Sequence, residues 1–173
     1  MEENILWVLF EVIMILLIIT MALFIHEMGH AVATILRNKK AKAEIYLGSS
    51  DKEKKLKLKL GRITCYLTIA LSAFCQPLNS EELPPPTHKQ RFIFLLGGPF
   101  ASLLGFAALY FASYFFSGVP GNILISLAGA NFFLFATSLI PFTYPSFLGG
   151  GPSDGLQILN QIKENRKQHK AVS

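Results

Sequence analysis

Five consecutive residues, His26-Glu27-Met28-Gly29-His30, carry the pattern His-Glu-x-x-His. On a helix, two histidines four positions apart project from one face and can share a single zinc ion. Each role needs its residue type: neutral imidazoles hold the metal, the metal lowers the pKa of a bound water, and the glutamate takes that water's proton. The same residues also read as helix groups near an interface, with hydrogen-bonded histidines and a glutamate reaching toward water. Against that reading, three ionisable side chains this close together in an apolar helix are costly to insert without a metal or partner.

A catalytic zinc takes a third protein ligand and keeps one position open for water. His88 and His169 fall in wet segments and are expected to stay unligated, whereas Asp154 follows the glycine-rich run Gly149-Gly150-Gly151-Pro152-Ser153 beyond the last apolar stretch. Asp154 also suits the N-cap of a helix beginning at Gly155-Leu156. Capping alone does not account for its position on the same side of the membrane as the histidine pair.

The elements that must position these groups are membrane helices. The chain has 173 residues, of which 51% are hydrophobic, including 15 Phe, and its mean hydropathy is +0.43. That composition is too apolar for an ordinary soluble domain of this size. Three spans are expected, at residues 5–36, 92–116 and 123–140, with the last two joined by the turn Ser117 to Asn122. From Trp7 to Arg37 an unkinked helix runs roughly 45 Å, about the bilayer thickness with headgroups, and His26 lies about 16 Å below Arg37. The stretch Ile63 to Leu78 is apolar but short and broken by Gln76-Pro77, so it is not counted as a span. The acidic start Met1-Glu2-Glu3 and the long apolar run behind it do not fit a cleaved secretory signal. Cys65 and Cys75 form neither a zinc pair nor a disulfide framework and are expected to be reduced.

Charge distribution tests this topology. Twelve of the 16 basic residues lie between the first and second spans and the other four after the third. Three spans therefore put every Lys and Arg on one side, which the positive-inside rule makes cytosolic, with the N-terminus outside and the C-terminus in the cytosol. The net charge of +5 follows from topology and attraction to anionic lipids, and no nucleic-acid motif accompanies it. Between the first two spans, Ala43 to Gly48 and Leu56 to Thr68 flank a charged turn at 49–55, and Leu56-Lys57-Leu58-Lys59-Leu60 alternates. A cytosolic β-hairpin is expected there, with leucines toward lipid and lysines toward phosphate, and its edge could hold an extended substrate. A stiff linker around Pro84-Pro85-Pro86 and a polar tail over 156–173 complete a single-domain, all-α polytopic chain. Glu11 is expected to snorkel to the outer interface, and Gly97, Gly98, Gly105 and Gly129 to allow close helix contact.

A His-Glu-x-x-His motif inside the first membrane helix, with an Asp-Gly pair downstream of a later span, resembles the site-2 protease family of intramembrane zinc metalloproteases. The resemblance covers most of the chain. It implies one zinc ion bound by His26, His30 and Asp154, with Glu27 as the catalytic base and Gly98-Pro99 as the family's central Gly-Pro element. The departures are Ser102 where the family often has Asn, Ser138-Leu139-Ile140-Pro141 for Asn-x-x-Pro, Ser153 for the Leu before Asp154, and a long spacing from Pro141 to Asp154.

These residues imply a zinc-dependent intramembrane endopeptidase. It would cut a membrane-spanning or membrane-adjacent protein near the cytosolic face of a cell membrane, expected to be bacterial, with the lipid bilayer as its other partner. Two rivals use the same residues. One is a zinc-bound or metal-free relative that binds membrane helices without cutting them. The other is a membrane zinc protease of a different type, taking its third ligand from a downstream glutamate, for which Glu164 is the candidate.

Overall fold

The structure, a computed structural model, describes residues 2–172. Three apolar helices dominate it: α1 (Glu2–Arg37), α2 (His88–Ser113) and α3 (Gly118–Leu139), each long and apolar enough to cross a membrane. The first, at 36 residues, is about 54 Å long and continuous, well beyond a hydrocarbon core of about 30 Å. Its N-terminal half, including Glu11, is largely exposed, while its second half meets α2 at Gly29 and Ile25.

Boundaries follow local chemistry. The second helix starts before Phe92 because Thr87 and Gln90 form a capping box, the Thr87 hydroxyl accepting from the Gln90 N–H at 3.2 Å and the Gln90 side chain accepting from the Thr87 N–H at 3.1 Å. The turn expected at 117–122 is mostly the first turn of α3, where Pro120 has no intrahelical acceptor to lose.

The segment between the first two spans corrects the hairpin expectation. It holds a four-stranded mixed sheet of β1 (Ala43–Leu47), β2 (Leu56–Leu60), β3 (Ile63–Leu67) and β4 (Ala73–Pro77) in the order β2-β3-β1-β4. Residues 49–55 do not close a hairpin. They carry the chain across so that β1 lies parallel to β3, while β2 and β3 form the tight antiparallel pair, turning at Gly61 with φ of +60°. The reason is burial: all of β1 is buried and belongs in the centre, whereas the Lys-bearing β2 is exposed throughout and suits an edge. The apolar stretch at 63–78 becomes β3 and β4.

One face of this sheet packs on the second half of α1, where Ala43, Ile45, Ile63 and Cys65 bury against Ala31, with Phe24, Met28 and Ile35 alongside. Arg62 strengthens the join by donating to the carbonyls of Ile35 and Asn38, both at 2.9 Å, which caps the exposed end of α1. The sheet is therefore clamped to the part of α1 that carries His26 to His30. Both cysteines are free, Cys65 buried and Cys75 partly so.

On the opposite face the Tyr46 ring stacks between Tyr66 and Phe74, at 4.9 Å from each. The buried Glu44 accepts from the Tyr46 hydroxyl and from Lys52 Nζ at 3.1 Å. Burial works to raise the Glu44 pKa, but the Tyr46 and Lys52 hydrogen bonds outweigh it and hold the carboxyl below its ordinary 4.5. A depressed folded pKa gives stability that is complete above the unfolded value and is lost as pH falls through the folded one. Thermal unfolding of purified protein should therefore weaken below about pH 4.5, and Glu44→Gln should remove that component while lowering stability at pH 7.

Candidate metal centre

His26 and His30 lie one turn apart on α1, both buried, with ring centroids 5.0 Å apart. Each ring is oriented by its Nδ1. His26 Nδ1 sits 2.9 Å from Ser102 Oγ and His30 Nδ1 is 2.7 Å from the Phe94 carbonyl, both partners on α2. An Nδ1–H donated to Phe94 leaves the His30 Nε2 lone pair free, and a hydroxyl acceptor at Ser102 does the same for His26. The Phe94 ring also packs 4.9 Å from His30.

Sequence on α2 explains why the rings can sit there. A Cβ at Gly98 would overlap His30 Nε2 and stand 2.6 Å from His26 Nε2, so only glycine leaves room for the two ring tips. Pro99, buried in the same turn, lacks an N–H and leaves the Leu95 carbonyl without its usual intrahelical donor. Further along the contact, Gly29 meets the Gly97 backbone and Gly105 lies against Asn131 and Ile25. These three α2 glycines serve close packing as expected, but Gly129 faces open space.

Asp154 reaches the same point from the far end of the chain. Its Oδ2 lies 3.1 Å from His26 Nε2 and 3.5 Å from His30 Nε2. It is the first residue of α4 (Asp154–Val172), and the cap of that helix is the preceding serine. Ser153 Oγ accepts from the Leu156 N–H at 3.2 Å and from the Phe142 N–H at 3.2 Å, and donates to the Ile140 carbonyl at 2.7 Å. Capping by Ser153 frees the Asp154 carboxylate for the histidines. The long interval after Pro141 is absorbed by a fold-back, in which Ser153 N–H donates to Phe142 and Tyr144 N–H to Gly151, each at 2.9 Å, with Thr143 bridged to Pro152. Gly155 then packs directly on the Leu139 carbonyl, where a Cβ would overlap.

Charge suits a ligand set. Burial works to raise the Asp154 pKa, but the adjoining His26 and His30 rings outweigh it and hold it at about 2, so the carboxylate is ionised at neutral pH. Tetrahedral ligands at about 2.0 to 2.1 Å from zinc stand about 3.3 Å apart, close to the observed spacing of the two Nε2 atoms from Oδ2. Two neutral nitrogens and one carboxylate oxygen fit zinc, and they would hold it through His26 Nε2, His30 Nε2 and Asp154 Oδ2. Glu27, also buried, has a carboxylate oxygen within 4.8 Å of histidine ring nitrogens. Its carboxyl borders the backbone of Cys75 in β4.

Of the remaining residues singled out from sequence, Ser138 is buried but bonds its own helix at Phe135 and does not reach the histidines. His88 donates nothing to the centre; its carbonyl accepts from Gln161 Nε2 at 2.6 Å. The side chain of His169 lies outside the described residues. Glu164 stands ten residues beyond Asp154 on α4, about 15 Å along its axis. Tyr144 has no spacing signature and sequence reasoning missed it. Its phenol is pushed up by burial and by the charges of Asp154 and Glu27, so it is a protonated donor within electrostatic reach of both carboxylates.

Three buried groups on an apolar helix, His26, Glu27 and His30, form a cluster compatible with a metal site, and a carboxylate from a later element lies beside it. The chain matches peptidase family M50, the site-2 protease family, over residues 14–172 and belongs to it. No curated protein matches it.

The positioning contacts lead to a direct expectation. Ser102→Ala should weaken zinc affinity of the purified protein by about 10- to 100-fold in competition with a chelator, leaving the helical content unchanged. Gly98→Ala should weaken it further, because the added methyl occupies the space of both ring tips.

Proposed function

We propose that this protein is a zinc-dependent intramembrane endopeptidase, with His26, His30 and Asp154 holding the metal and Glu27 acting as base. The observation that carries this reading is the approach of Asp154 Oδ2 to both histidine Nε2 atoms, across 128 and 124 residues of chain. When bound, zinc supplies Lewis acidity toward the scissile carbonyl and toward water. Glu27 receives the proton of the attacking water on a carboxylate oxygen and returns it to the leaving amine nitrogen. Ser102 and the Phe94 carbonyl keep the imidazoles oriented.

Orientation completes the proposal. All basic residues fall on one side of the three spans, which argues for a cytosolic sheet and tail and an external N-terminus. Leu56, Leu58 and Leu60 share the sheet face that packs on α1, yet they are exposed, so this overhanging edge suits contact with lipid. Substrates would be membrane proteins whose spanning segment unwinds near the cytosolic surface. The sheet edge nearest Glu27 is β4, not β2, since the Glu27 carboxyl borders Cys75. A substrate strand is accordingly better placed beside β4.

The test separates an enzyme from a binding relative. Glu27→Gln should retain zinc at the wild-type stoichiometry by elemental analysis and lose about 10²- to 10⁴-fold in cleavage of single-span substrates. Cleavage unaffected by this change would refute the assignment of the base. Asp154→Asn should lower both zinc content and cleavage; unchanged zinc would move the third ligand elsewhere.

A further inference from the structure

A cavity of about 170 Å³ opens one turn beyond the histidines, between the end of α1, the proline linker and the start of α2. Its inner wall is Thr34, which is buried, with Ala33 and Phe94 beside it; Pro86, Arg37 and Arg91 are toward the rim. The cavity and the metal centre share a wall. Thr34 Oγ1 donates to the His30 carbonyl at 3.0 Å, and Phe94 both accepts from His30 Nδ1 and packs on its ring. Thr34 is four residues past His30, about 6 Å along the helix, which an extended peptide covers in about two residues.

The lining is mainly apolar, yet its rim carries two guanidinium groups. Arg37 is oriented by donating to the Pro84 carbonyl, and among the described residues no carboxylate forms an ion pair with Arg37 or Arg91. A recess with an apolar interior and an uncompensated cationic rim matches an apolar side chain with an anionic group next to it. We propose that this cavity is a substrate subsite, taking an apolar side chain about two residues from the cut bond while Arg37 and Arg91 pair with an adjacent Asp or Glu. This rests on the protease reading and names the substrate class it selects. A lipid headgroup is the lesser match, because its phosphate is attached to polar glycerol atoms that the apolar inner wall would leave without partners.

The test uses full-length protein and a series of single-span peptides differing only at the flanking position, as Glu, Gln or Lys, and at the apolar position, as Leu or Ala. The Glu-Leu peptide should exceed the Lys-Leu peptide in kcat/KM by about fivefold, mainly through KM, the scale of an exposed charge pair. Arg91→Glu should reverse that order, and Arg37→Gln should reduce it. Cleavage with no acid preference, or a preference that Arg91→Glu leaves unchanged, overturns the subsite while the protease reading stands. Binding of the same peptides to the Glu27→Gln protein, read by fluorescence anisotropy, tests the subsite without chemistry: the same ranking in Kd supports it even if no peptide is cleaved, and a flat ranking overturns it. If Arg91→Glu alters association with anionic vesicles and leaves the peptide ranking as it was, the rim serves lipid phosphate and the proposal fails.

Discussion

A carboxylate from residue 154 has to meet two imidazoles buried partway along the first helix, and the rest of the architecture serves that meeting. Asp154 Oδ2 within 3.1 and 3.5 Å of the two Nε2 atoms brings together an anion and two lone-pair donors in a largely buried region. Burying such a set is expensive unless a cation or a complete hydrogen-bond arrangement compensates it. Nδ1 of each ring is already committed to α2, which leaves the Nε2 atoms and the carboxylate facing a common point.

Each neighbouring element answers part of that demand. The second helix must approach α1 to touching distance, and Gly97 and Gly98 against Gly29 and the ring tips make the approach sterically available. The third helix delivers the chain to the correct level, and Ser153 then fixes the start of α4 by bonds to Ile140, Phe142 and Leu156. The sheet, joined to α1 through an apolar layer and through Arg62, braces the same stretch from the remaining side. Its β4 strand brings the Cys75 backbone to Glu27, so that carboxyl and the sheet edge are neighbours.

Much of this was legible in the sequence for physical reasons. Long apolar runs leave little choice but membrane helices, so the three spans were readable to within a few residues at most ends. His26, Glu27 and His30 declared themselves because their spacing matches one helical turn. Asp154 was a candidate from its side of the membrane and was assigned as a ligand through resemblance, since its approach depends on the fold-back over 142–152, whose pairing has no periodic signal. The sheet was half-read: alternation in 56–60 marked a strand, but which strands pair is decided by burial of β1 against α1, and local turn chemistry carries no record of that contact. Ser102 looked like a departure from the family pattern, yet its hydroxyl takes up the His26 ring. Ser153 also looked like a departure, and it is the residue that releases Asp154 from capping.

In the proposed centre one metal ion is held by two imidazole nitrogens and one carboxylate oxygen. X-ray absorption at the zinc edge of the purified, zinc-loaded protein reads that shell directly. The expected shell has nitrogen and oxygen neighbours at about 2.0 to 2.1 Å, an imidazole scattering pattern for two rings, and no sulfur. A sulfur neighbour near 2.3 Å, which would bring in Cys75, or a shell containing no imidazole, would contradict it.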